Sequence, residues 1–143
     1  MTLSFVIVPL ATLIIVQIIK GTLHGLKNKF SWRDFFSPGG MPSSHTALVV
    51  CLATLIGYYQ GLNSAAFAIA MVLAILIIWD AGVLRRIIGK HASFINKTVH
   101  LLTPADGAKY EFLEERIGHT FWEIIWGFVA GLAIPALYIL FLQ

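Results

Sequence analysis

Charge is scarce in this sequence: Asp, Glu, Lys and Arg make up only 12% of its 143 residues, against 58% hydrophobic residues and a mean hydropathy of +0.83. Soluble domains carry about a quarter of their residues as charges, so an ordinary soluble domain is excluded. Cysteine is nearly absent as well. Cys51 stands alone inside an apolar run, which rules out a disulfide framework within one chain and leaves the redox compartment undetermined. There is no internal repeat, heptad pattern or low-complexity stretch, and no nucleic-acid partner is expected.

What the chain does have is long apolar runs. About 20 helical residues cross the roughly 30 Å of bilayer hydrocarbon, and candidate spans read at Leu3–Ile19, Thr46–Tyr59, Ala65–Trp79 and Phe121–Leu142. The middle two are short and need polar helix ends, tilt or packing against neighbours to complete a crossing. The first has no basic stretch before it and no small-x-small cleavage pattern before Lys20, so a retained helix is expected rather than a signal peptide. The expected architecture is an all-α, polytopic membrane helical bundle of about four transmembrane helices, with shorter helices in the loops on the active-site face. A single integral membrane domain over residues 1–143 is expected.

With four spans, the linkers near residues 20–44 and 80–120 lie on the same side of the membrane. Every Lys, Arg, Asp, Glu and His falls in those linkers or at the helix ends adjoining them. All ten Lys and Arg on one face orient it to the cytoplasm by the positive-inside rule. Cations alone would serve to anchor the chain to anionic headgroups, at about 1 kcal/mol each. Five histidines and seven acids on the same face ask for more than anchoring.

Three stretches carry the residues that do chemistry. In "GGMPSSHTA", Gly39 to Ala47, the glycines allow a tight turn or a close backbone approach, and Gly40 is the candidate at the site. Pro42 suits the first turn of a helix that Ser43 or Ser44 caps, and the following helix start offers amides and a positive dipole end to an anion. His45 would stand at its rim. A plain serine-capped junction fits the same residues. In "ERIGHTFWE", Glu115 to Glu123, His119 and Glu123 are four apart; a last helix beginning near Gly118 puts both on one side of its first turn. The carboxylate can then fix the imidazole tautomer and leave the other nitrogen free to attack, while Arg116 offers a planar fork of donors to phosphate oxygens. Taken separately, an interfacial histidine and a helix-start carboxylate fit as well. In "WDAGVLRRIIGKHASFIN", Trp79 to Asn96, Asp80 ends an apolar run and Arg85 and Arg86 follow. These read either as a membrane-exit ion pair or as part of the site.

Together, "GGMPSSHTA", "DAGVLRR" and "GHTFWE" resemble the type-2 phosphatidic acid phosphatases and their vanadium-haloperoxidase relatives, in particular the small divergent branch of bacterial and plastid membrane proteins. "PSSH" at Pro42–His45 is similar to that superfamily's "PSGH" motif, and Arg116 with "HTFWE" is similar to a compressed "SRxxxxxHxxxD". The resemblance implies that His119 attacks phosphorus, Glu123 orients it, and His45 protonates the leaving alcohol. It also implies that Arg116 and the Ser43 and Ser44 region hold the phosphoryl oxygens, with no metal and no cofactor. The sequence departs from the pattern in three ways. Glu123 replaces an aspartate, Arg116 stands only three residues before His119, and the first family motif is missing. Lys20 is the best candidate for that motif's lysine, with Lys27, Lys29 and Arg33 nearby, and Arg85 is the candidate for its guanidinium.

The implied activity is hydrolysis of a lipid phosphomonoester or diphosphate at the surface of a bacterial cell membrane or plastid membrane, with the bilayer and the lipid phosphate as partners. Two other classes remain. A zinc hydrolase built from His45, His119, Glu123 and Asp80 has no HExxH and faces ten opposing cations. A lipid-phosphate binder or transporter would keep the anion site without turnover. Gly127 and Gly131, four apart on the last span, suit either a homo-oligomer contact or packing within the chain.

Overall fold

The computed structural model describes residues 3–27, 40–102 and 111–141. All regular structure among them is helical: α1 (Ser4–Lys27), α2 (Ser44–Gln60), α3 (Ala65–Trp79), a π turn (Asp80–Leu84), α4 (Arg85–Leu102) and α5 (Phe121–Phe141). Three segments are long and apolar enough to cross a membrane: Ser4–Leu23, Ala65–Leu101 and Phe121–Phe141. Their apolar side chains point outward, as with Ile69, Ile75, Leu76 and Leu140. An exposed apolar belt of that extent is rare on a soluble monomer and fits a lipid solvent. The chain is an integral membrane protein.

The shortest of the expected spans is the centre of the bundle. α2 has 17 residues, about 25 Å of helix at 1.5 Å per residue, and packs against α1, α3 and α5. Its interior positions are small or β-branched except for Leu55: Ala47, Val49, Val50, Cys51, Ala53 and Leu55 are buried. Lipid gives helices no hydrophobic reason to associate, so close packing of small residues supplies the contact. A Cβ on Gly127 would lie 2.5 Å from the Ser43 carbonyl oxygen, and one on Gly131 would lie 2.8 Å from that of Ala47. These two glycines therefore let α5 lie directly on α2. The pair expected to serve either a second copy or the chain itself faces the chain itself.

Two polar contacts support the same packing. Thr12 Oγ1, whose proton goes to the Val8 carbonyl at 2.9 Å within α1, meets Cys51 Sγ of α2 at 3.3 Å, and Tyr138 Oη donates to Ser4 Oγ at 3.4 Å. At the far end, Gly61 turns the chain at φ 86° and Ser64 caps α3 through the Phe67 amide at 3.1 Å.

The 80–120 region differs from the expected linker with short helices. The chain leaves α3 through the π turn without breaking and continues as the 18-residue α4. Lys20 likewise is no linker residue, because α1 extends past Ile19 to Lys27 and buries it.

Candidate active site

The start of α5 is a reciprocal cap made by Thr120, Phe121, Trp122 and Glu123. The Glu123 amide donates to Thr120 Oγ1 at 3.4 Å, and Glu123 Oε2 accepts from the Thr120 amide at 2.9 Å. The helix therefore begins at Phe121, not near Gly118, and His119 stands just outside it. The expected pair forms nonetheless, with His119 Nδ1 3.2 Å from Glu123 Oε2. Both residues are buried, at 8% and 6% exposure. The His119 amide donates to the Ala81 carbonyl in the π turn at 3.0 Å, tying the residue to the end of α3.

This arrangement sets the protonation of the ring. An ionised carboxylate only accepts, so Nδ1 carries the proton and Nε2 keeps its lone pair. Burial, above all, lowers the His119 pKa below the usual 6.5; Glu123 opposes this through its charge and hydrogen bond, and His45 and Lys20 add to the lowering. At neutral pH the ring is therefore uncharged and holds a free nitrogen.

α2 begins against this pair. Ser43 is its N-cap, accepting from the Thr46 amide at 3.3 Å and from Thr46 Oγ1 at 3.0 Å, while its own amide donates to the Glu123 carbonyl at 2.9 Å. Ser43 is wholly buried, so its hydroxyl acts as the cap rather than as a donor on the site's surface. Ser44 is buried in the first helical turn, and Pro42, joined to Met41 by a cis peptide, precedes the cap. His45 projects from that turn with its ring centroid 6.4 Å from that of His119. Although its outer edge is exposed, protein packed around the ring lowers its pKa, Arg85 and Lys20 lower it further, and Asp80 raises it.

Cations surround the two imidazoles. Lys20 is buried beside Gly40, whose φ of 95° suits glycine and whose added Cβ would come 2.8 Å from Lys20 Cε. Arg85 Nε donates to Asp80 Oδ2 at 2.8 Å, so the expected ion pair is present, half-exposed and close enough to act on His45. Lys29, Arg33 and Gly39 lie outside the described residues.

Arg116 takes a different position. It is exposed, its amide donates to Glu114 Oε1 at 3.3 Å, and it lines a cleft of about 530 Å³ between α4 and residues 115–122. His119 borders that cleft, but His45, Lys20 and Ser43 do not. Arg86, Lys90 and Ser93 line its α4 wall; the sequence marks Arg86 only as a neighbour of Arg85 that belongs either to a membrane-exit pair or to the site, and Lys90 and Ser93 not at all. Their spacing of four and then three residues places them on one helix face and was the available signal. Asn96, also overlooked, is buried and holds the cleft's far wall through Leu113 and Glu115, with Nδ2 donating to the Leu113 carbonyl and to Glu115 Oε1, both at 2.9 Å. Among the described residues, no three His, Cys, Asp or Glu side chains gather as a metal site would require.

Apolar spans with a buried imidazole–carboxylate pair and cations collected at one end of the bundle define a class: helical membrane proteins with a polar site at their helix ends. Within that class the chain belongs to the Divergent PAP2 family, whose sequence profile matches residues 2–134. It is similar to the uncharacterized membrane protein YuiD of Bacillus subtilis (strain 168), with 33% identity and coverage of 87% of each chain. No solved structure matches.

Proposed function

We propose that this protein is a lipid phosphate phosphatase that works through a phosphohistidine at His119. The observation that supports this best is the His119–Glu123 pair: a buried, uncharged imidazole with its Nδ1 proton held by a carboxylate and a second imidazole 6.4 Å away. His119 Nε2 attacks phosphorus, and the bond from phosphorus to the leaving oxygen breaks. His45 gives that oxygen its proton and so releases an alcohol from a phosphomonoester or a lipid monophosphate from a diphosphate. His45, now neutral, takes a proton from water; the hydroxide attacks the phosphohistidine, and phosphate leaves with His119 restored. Lys20 and Arg85 balance charge that develops on the phosphoryl oxygens, and Gly40 lets the backbone lie close to Lys20.

The substrate is a lipid phosphomonoester or diphosphate whose chain stays in the bilayer, of the phosphatidate, phosphatidylglycerophosphate or polyprenyl diphosphate type. The four apolar runs form one domain and all cross the membrane, α2 included, with the site facing the cytoplasm of a bacterial cell or the corresponding side of a plastid membrane. One observation favours a second reading, in which the protein binds or transports lipid phosphates without turnover: Arg116 faces the α4 cleft rather than His45. Phosphate release over a panel of lipid phosphates separates the two. Purified protein in detergent should release phosphate, and His119→Ala should reduce turnover by a factor of about 10⁴ or more while leaving the thermal midpoint in place. Unchanged turnover in His119→Ala rejects the phosphatase mechanism; binding without release across the panel supports the binder.

A further inference from the structure

We infer that the cleft between α4 and residues 115–122 is a second anion subsite, in which Arg86 and Lys90 grip an anionic group of the substrate adjacent to the phosphoryl group that His119 attacks. The inference rests on the phosphatase reading only in naming that attacked group.

Three cations, Arg86, Lys90 and Arg116, converge on one cleft of about 530 Å³ that His119 also borders. Arg86 and Lys90 stand four apart on α4, a like-charge pairing that weakens a helix unless something negative lies between the two. Among the described residues, the only carboxylate lining the cleft, Glu115, has one oxygen engaged by Asn96 Nδ2 at 2.9 Å, and that hydrogen bond is the main reason its pKa is lowered. A net positive charge therefore remains. Arg85 differs from its neighbour: Asp80 holds it on the His45 side of the site.

Proximity to the chemistry follows from the backbone. A Cβ on Gly118 would come 2.7 Å from Arg86 Cα, so the residue before His119 lies directly on the first turn of α4. A group bound between Arg86 and Lys90 is consequently adjacent to a phosphorus bound at His119. Two phosphates joined by one bridging oxygen meet that requirement, and guanidinium and ammonium groups suit their oxygens. Exposed Phe121 and Trp122 form the apolar lip of the same cleft, where a lipid chain can leave the headgroup for the bilayer. Headgroup anchoring to bulk anionic lipid uses cations on an outer surface; these cations line a cleft that contains the proposed nucleophile.

The test uses full-length His119→Ala protein in detergent, so that binding is read without turnover. The probes are the methylene-diphosphonate and the monophosphonate of one long-chain alcohol, titrated calorimetrically, with inorganic pyrophosphate and inorganic phosphate as soluble counterparts. The lipid diphosphonate should bind about 10- to 100-fold more tightly than the monophosphonate, the range for gaining hydrogen bonds between charged groups. Adding Arg86→Gln and Lys90→Gln should remove most of that advantage and leave monophosphonate binding within about twofold. Both residues are exposed, and an unchanged thermal midpoint verifies the fold. Pyrophosphate that binds as tightly as the lipid probe, with the same dependence on Arg86 and Lys90, would assign the subsite to a soluble diphosphate; weaker binding assigns it to the lipid headgroup. Equal affinity for the two phosphonates, or an advantage that survives both substitutions, overturns the subsite. Parallel phosphate release from the unaltered protein separates this failure from that of the phosphatase reading. Discrimination without turnover removes the chemistry and keeps the subsite, whereas His119-dependent turnover without discrimination does the reverse.

Discussion

At the scale of the residue, the proposed mechanism gives His119 and His45 opposite roles, although one is buried and the other exposed. The nucleophile must be neutral and the acid protonated, yet burial lowers both pKa values below the usual 6.5. The sign of the pH dependence follows. As pH falls from neutrality, His119 keeps its lone pair until its own lowered pKa is reached; as pH rises, His45 loses its proton already below 6.5. The free enzyme's kcat/KM profile should therefore be a bell with its maximum on the acid side of 6.5, and its two limbs belong to the coupled pair. A bound phosphate anion favours both protonated rings, so the kcat profile should lie at higher pH than that of kcat/KM. Initial rates measured across pH on a soluble short-chain substrate check this; a maximum at alkaline pH contradicts the assigned roles. Much of this pair was legible beforehand, because a four-residue spacing at a helix start sets the imidazole beside the carboxylate even though the helix begins at Phe121 rather than near Gly118. The lowered pKa values were not legible, since they depend on Lys20, Arg85 and burial brought from three other segments.

At the scale of the element, the start of α5 does two jobs through one side chain. Glu123 Oε2 accepts from the Thr120 amide, as an N-terminal cap requires, and from His119 Nδ1, as the proposed chemistry requires. Glu123→Gln separates them, because a carboxamide oxygen still accepts from Thr120 but carries no charge toward the ring. Stability should change by less than about 1 kcal/mol, the usual scale of a helix cap, while kcat should fall about 10²- to 10⁴-fold, the range for losing support to a general base or nucleophile. Thermal unfolding and turnover of the same preparation test both parts; a large loss of stability with kcat preserved would make Glu123 a cap only. The T-x-x-E signature was present in the sequence and would have moved the expected helix start from Gly118 to Phe121. The π turn had no comparable signal: Asp80–Leu84 reads as the end of a span, and only the structure shows that the helix widens there, lends the Ala81 carbonyl to the His119 amide and continues as α4. Ser43, equally, could be identified as a candidate cap from "PSSH", but only the hydrogen bond from the Thr46 amide decided between it and Ser44.

At the scale of the whole molecule, four chain segments separated by up to a hundred residues bring their polar ends together because α2 lies at the centre and is small enough to be packed on three sides. Composition made the membrane class plain, and alternation of apolar runs with charged linkers made the grouping of polar ends plain. Which cations face which cleft was hidden, because adjacent residues such as Arg85 and Arg86 diverge by about 100° around a helix. Sidedness is open to a direct check. Cys51 is buried, so single cysteines placed at Lys97 and at Asn63 can be labelled without background by a membrane-impermeant maleimide; in intact cells Asn63→Cys should react and Lys97→Cys should not. The reverse pattern would put the site outside. The central claim concerns the atom that takes the phosphoryl group. The most direct measurement is an alkaline quench during turnover of a phosphorus-labelled lipid phosphate, followed by mass spectrometric mapping. The account requires an alkali-stable, acid-labile phosphoryl group on the imidazole of His119, absent in His119→Gln; turnover that proceeds with no label on His119, or with label on another residue, contradicts it.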